Sequence, residues 1–85
     1  MPDYTIYLSK KAQKQLDKIP DKEAYAVLER IQKLSKDPRP SGVKKLKGRN
    51  GYRVRQGNYR IIYEIQDDIL VIDVIAIGHR KDIYH

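Results

Sequence analysis

The chain predicts an α+β fold in the order β-α-α-β-β-β, an antiparallel sheet with an N-terminal helical hairpin packed on one face. Three observations predict it. Two apolar stripes of helical period flank Pro20. Residues 52–65 alternate with period two about Gly57-Asn58. Residues 69–77 are apolar but for Asp73, as in a strand covered on both sides. With 85 residues and no repeat or linker, residues 1–85 make a single domain.

Each element has its own local reason. Tyr4-Thr-Ile-Tyr-Leu8 is rich in β-branched and aromatic residues and alternates, which suits a first strand. Ser9 is an N-cap for a helix whose stripe is Ala12, Leu16 and Ile19, ended by Pro20. Asp21 caps a second helix, with Glu23 in its first turn and a stripe of Ala24, Val27, Leu28, Ile31 and Leu34. Asp37-Pro-Arg-Pro40 stops it, and residues 41–50 form a basic connection. The hairpin follows, then a turn at Asp67-Asp68 and the last strand.

The hairpin register carries most of the functional information. A two-residue loop at Gly57-Asn58 sets Gln56 opposite Tyr59, Arg55 opposite Arg60, Val54 opposite Ile61 and Arg53 opposite Ile62. Opposed residues share a face, so Arg53, Arg55 and Arg60 converge while Tyr52, Val54, Tyr59, Ile61 and Tyr63 face the helices. Like charges placed opposite each other cost roughly 0.2–1 kcal/mol, which a fold has no need of and a phosphate site does. Carrying the register across Asp67-Asp68 sets Ile62 opposite Asp73 and Arg60 opposite Ile75. Asp73, as a partner for an arginine, and His79 then join the arginine face.

The charge is concentrated in the same stretch. The net +7 divides into +3 over residues 1–42, +6 over 43–66 and −2 over 67–85, with no acid from Lys44 to Arg60. A patch of this kind attracts polyanions through counterion release; a solvated face or an acidic protein partner would also account for charge alone. The absence of cysteine excludes disulfides and thiolate metal sites, and the two histidines, His79 and His85, show no metal-ligand spacing. No basic segment followed by an apolar one opens the chain, and no apolar run approaches the about 20 residues of a membrane helix, so a cytoplasmic protein with no membrane partner is expected.

Arginines bind phosphate through a planar fork, tyrosine stacks on a base or orients a hydroxyl, and histidine moves a proton near neutral pH. Together they are the parts of a ribonuclease that works without a metal or other cofactor, in which the 2′-hydroxyl of the RNA attacks the neighbouring phosphorus. Lys44, Lys45, Lys47 and Arg49 supply further phosphate contacts.

The segments Lys45-Leu-Lys-Gly48, Gly51-Tyr-Arg-Val-Arg55, Asn58-Tyr-Arg-Ile-Ile-Tyr63 and Ile77-Gly-His-Arg-Lys-Asp-Ile-Tyr84 resemble the RelE/ParE toxin superfamily, in particular its RelE-like members. The resemblance spans nearly the whole chain. It implies a RelE-like, microbial-ribonuclease-type fold and a toxin of a type II toxin–antitoxin module that cleaves mRNA in the ribosomal A site. It implies catalytic roles for Arg53, Arg55, Arg60, Arg80 and Tyr84, with His79 as a candidate acid or base. The implied partners are the ribosome and mRNA, an acidic RelB-like antitoxin in a hetero-oligomer, and operator DNA only through the antitoxin complex. A ParE-like gyrase inhibitor, or an inactive relative that only binds its antitoxin, is the alternative implied by the same superfamily. The chain departs from the RelE pattern in three places. Arg53 and Arg55 replace two lysines, His79 replaces another, and Arg80 to Tyr84 is a shorter spacing. An arginine stays protonated, so a lysine-base mechanism does not transfer to those positions.

Overall fold

In a computed structural model, described for residues 3–48 and 50–79, the elements are β1 (Thr5–Leu8), α1 (Lys10–Asp17), α2 (Asp21–Leu34), β2 (Lys44–Lys45), β3 (Gly51–Gln56), β4 (Tyr59–Gln66) and β5 (Val71–His79). They form one mixed sheet in the order β1-β5-β4-β3-β2, with both helices on one face. The expected class and order hold. The expectation of an antiparallel sheet is corrected to a mixed one, because β1 runs parallel to β5, held there by the Thr5 N–H bond to the Leu70 carbonyl; the basic connection adds a two-residue strand, β2, antiparallel to β3.

The core lies between the helices and the face that the hairpin register assigned to them. Ala12, Ile19, Val27, Ile31 and Leu34 pack against Val54, Ile61, Tyr63, Ile72, Val74 and Ile77. Ser9 caps α1 as expected, its Oγ accepting from the Ala12 N–H at 3.0 Å. In α2 the cap position is Pro20, without a side-chain hydrogen bond, and Asp21 lies inside the first turn with Glu23, where both favour the helix dipole. The buried Tyr63 hydroxyl donates to the Pro38 carbonyl at 2.6 Å, and burial pushes its pKa up to about 12.

The turn after β4 is longer than Asp67-Asp68 alone. It runs over residues 67–70, and Leu70 takes a positive φ of 55°. Asp67 is engaged elsewhere. Its carboxylate accepts from Arg39 Nη2 at 2.8 Å and from the Tyr4 hydroxyl at 2.6 Å, and these two donors hold its pKa below the usual carboxylate range. The Leu70 carbonyl accepts from Thr5 N–H at 2.8 Å, which starts the parallel pairing.

The longer turn and a β-bulge change the register of β5. Ile62 faces Ala76 and Arg60 faces Gly78, whereas Tyr63 faces Val74, so Ile75 is an extra residue between them. Its carbonyl accepts from Ser9 Oγ at 2.7 Å, and the Ile77 N–H donates to Gln15 Oε1 at 2.7 Å. Side chains at and within α1 thus satisfy backbone groups where β1 has ended. The bulge inverts parity beyond it, and His79 falls opposite Tyr59 on the side bearing the helices. The expectation that His79 shares the arginine face is therefore corrected. Asp73 does share that face, but it stands opposite Glu64 and accepts a hydrogen bond from Gln66 rather than from an arginine.

Candidate phosphate site on the open sheet face

The hairpin register is the expected one at every pair from Gln56–Tyr59 to Arg53–Ile62. Gly57 enters the left-handed region at φ +59°, which the tight turn requires and a glycine adopts without a steric penalty. Arg55 stands directly opposite Arg60, and β2 adds a second opposed pair of cations, Lys44 and Arg53. The four side chains, with Gly42, line a concavity of about 250 Å³ on the face that carries no helix. Arg60 forms its floor, only 2% exposed, with the side-chain-free Gly78 across from it on β5. Arg53 is half-buried, and Arg55 and Lys44 are exposed at the rim.

The rim is held from both ends. Gly42, at φ +88°, turns the chain into β2. The Val43 N–H donates to the Pro40 carbonyl at 3.1 Å, and the Val43 side chain packs on the core. Beyond β2 the Leu46 N–H donates to the Gly51 carbonyl at 2.9 Å. The sequence presents residues 41–50 as a connection and does not reveal the opposition of Lys44 to Arg53. The available signal was the apolar Val43 and Leu46 bracketing two lysines just before a strand.

Four cations around one concavity give it a positive potential that can hold anionic groups such as phosphates. Along the same face the sign reverses at the opposed Glu64 and Asp73. Larger concavities of about 360 and 410 Å³ lie beside the hairpin turn and under the end of β5, and neither gathers a cluster of cations. Among the described residues no group of three or more His, Cys, Asp or Glu could hold a metal ion, and no helix is long and apolar enough to cross a membrane.

The remaining candidate residues divide by position. Lys45 points to the helix side, its Nζ 6.0 Å from the centre of the Tyr52 ring, which also receives Arg39 at 5.3 Å. Lys47 is exposed in the loop and does not line the concavity. His79 lines the 410 Å³ concavity with Gln15, Lys18 and Tyr59, edge-on to the Tyr59 ring at 5.4 Å. The Tyr59 hydroxyl donates to Glu23 at 2.9 Å, and its pKa is raised by burial and by that carboxylate. Arg49, Arg80 and Tyr84 lie outside the described residues.

Comparison with known proteins places this geometry in a family context. Residues 6–84 match the family model described as ParE toxin of type II toxin-antitoxin system, parDE. Toxin RelG of Mycobacterium tuberculosis is 31% identical over 83 residues, covering 95% of each chain. A chain of the archaeal RelE–RelB complex from Pyrococcus horikoshii superposes with a TM-score of 0.82 at 30% identity, over 92% of this chain and 96% of that one. A chain of the toxin–antitoxin complex RelBE2 from M. tuberculosis gives 0.81 at 28% identity, over 92% and 99%.

Proposed function

This chain belongs to the RelE/ParE superfamily of type II toxin–antitoxin toxins, and on that premise we propose that it is an endoribonuclease that cleaves mRNA in the ribosomal A site and so stops translation. The observation that carries the reading is the concavity of Lys44, Arg53, Arg55 and Arg60 on an open sheet face. A gyrase-binding surface does not call for two pairs of opposed cations around one concavity.

In the proposed mechanism Arg60, pre-set by burial, binds the scissile phosphate and neutralises charge as the phosphorus becomes pentavalent. Arg53 and Arg55 hold a flanking phosphate and the same developing charge. Arg80 and Tyr84, carried over from the family pattern, act from the segment after β5, with Tyr84 orienting the base or the hydroxyl. The nucleophile is the RNA's own 2′-hydroxyl, and the chemistry calls for no cofactor. Lys45, Lys47 and Arg49 are phosphate contacts around this centre at most, since Lys45 and Lys47 do not line it. The protein acts in the cytoplasm as a single domain. Its partner is an acidic RelB-like antitoxin, a reading supported by relatives solved as RelE–RelB and RelBE2 complexes. Operator DNA is reached through that complex.

The test is a reconstituted translation reaction with end-labelled mRNA. Wild-type protein is expected to cut ribosome-bound message, and Arg60→Ala to cut at least a hundredfold more slowly, as for removal of one donor from an oxyanion site, about 10²–10³. Intact message with wild-type protein would refute the proposal. The ParE description of the matching family favours one second reading, inhibition of DNA gyrase. Gyrase-dependent DNA cleavage alongside uncut mRNA would establish it instead.

A further inference from the structure

Among the described residues that line it, the concavity has cations in excess but one side chain able to give up a proton. Arginine is not deprotonated in proteins, so Arg53, Arg55 and Arg60 can neutralise charge but cannot serve as acids. His79 is turned to the opposite face by the bulge. Among the described residues lining the concavity, only Lys44 carries transferable protons. We propose that Lys44 is the general acid that protonates the leaving 5′-oxygen. The proposal rests on the ribonuclease reading and names a residue for its missing proton transfer.

The placement supports the role. Strand β2 sets Lys44 directly opposite Arg53, and opposed side chains project from the same face. Arg60 lies two strands away on β4. At about 4.8 Å between neighbouring strands, the arginines of β3 stand between Arg60 and Lys44, and the lysine reaches across them toward an anion seated on Arg60 over roughly 10 Å. Arg60 is the buried floor and Lys44 the exposed rim. A phosphate resting on the floor turns an outer oxygen to the rim, where an exposed ammonium can also be reprotonated by water between turnovers. The hydrogen bonds on either side of β2, from Val43 to Pro40 and from Leu46 to Gly51, fix the backbone that carries it.

The step balances as follows. The 2′-oxygen forms a bond to phosphorus and its proton passes to water. The P–O5′ bond breaks, its electron pair goes to O5′, and O5′ takes a proton from Lys44 Nζ. The products are a 2′,3′-cyclic phosphate and a 5′-hydroxyl.

The experiment measures single-turnover cleavage of ribosome-bound mRNA by wild-type protein, Lys44→Arg and Lys44→Gln. Two messages are used, one ordinary and one with sulfur replacing the bridging 5′-oxygen at the cleavage site. Sulfur leaves as a thiolate and needs no acid. Lys44→Arg keeps the charge and loses the transferable proton. Both variants are expected to cut the ordinary message roughly 10²–10⁴-fold more slowly, the usual contribution of a general acid. On the sulfur-containing message Lys44→Arg is expected to match wild type within a few-fold. Undiminished cutting of the ordinary message by Lys44→Arg would overturn the proposal and leave Lys44 a charge contact. An equal loss on both messages would overturn it too, because a folding or binding defect does not distinguish the leaving groups. If wild-type protein cuts neither message, the ribonuclease reading itself fails.

Discussion

Ser9→Ala is the substitution that most directly tests how the sheet is held in register. The Ser9 hydroxyl makes two hydrogen bonds, accepting from Ala12 N–H at 3.0 Å and donating to the bulged Ile75 carbonyl at 2.7 Å. Loss of an N-cap costs about 1 kcal/mol. A part-buried carbonyl deprived of its donor costs about 1 kcal/mol more. The two act on different elements, so the total is about 2 kcal/mol, which for a domain of this size lowers Tm by roughly 8–16 °C. Far-UV circular dichroism during thermal and urea denaturation measures it. Ser9→Asp separates the two bonds, because a carboxylate accepts from Ala12 N–H but has no proton for the Ile75 carbonyl. It is expected to keep the cap and still lose stability. A Ser9→Ala shift under about 0.5 kcal/mol, or a Ser9→Asp protein as stable as wild type, would refute the claim that α1 secures the bulge, since such changes are the size of unremarkable surface substitutions.

Other perturbations follow from the same contacts. Arg55→Ala removes one member of an opposed arginine pair, so it is expected to gain about 0.2–1 kcal/mol in urea unfolding. The same variant should bind single-stranded RNA with a salt slope shallower by about 0.7, one phosphate fewer. Unchanged slope would remove Arg55 from the interface. Arg39 and Tyr4 hold the Asp67 carboxyl below the usual range. Its contribution is therefore present above the unfolded value, about 3.9, and is lost as pH falls through the lower folded value. Asp67→Asn should flatten that acid limb of urea midpoint against pH, and an unaltered limb would show the junction to be inert. Tyr63, pushed up to about 12, contributes stability below the unfolded value of about 10 that is lost as pH rises toward 12. Tyr63→Phe should remove this alkaline limb and cost about 1 kcal/mol through the orphaned Pro38 carbonyl. A phenolate absorbance unchanged near pH 12 in the variant would contradict the assignment.

The parts of the fold that could be read from the chain were those with local causes. Gly57-Asn58 sets the β3–β4 pairing by itself, so three members of the cation cluster are legible in the sequence. Ser9 and Pro20 bound the first helix through their own backbone preferences. The parts that could not be read depend on groups far apart in the chain. The Ile75 bulge is supported by Ser9 and Gln15, more than sixty residues earlier. No period in residues 69–77 announces it, and the error it introduced, one residue of parity, moved His79 to the wrong face. The parallel pairing of β1 follows from the Tyr4–Asp67–Arg39 junction and the long turn, again contacts between distant segments. Strand β2 is two residues long, too short for periodicity to reveal, and it brought the lysine to the arginines.

The place of β5 has a consequence for how the molecule comes into being. The last of the described strands, β5, is an interior strand of the sheet, with β1 on one side and β4 on the other. A growing polypeptide that has not yet extended beyond residue 70 lacks the partner of both. It has no Gly78 beside Arg60 and no bulge for Ser9 to engage. The floor of the cation pocket is thus completed by residues made after every other described strand.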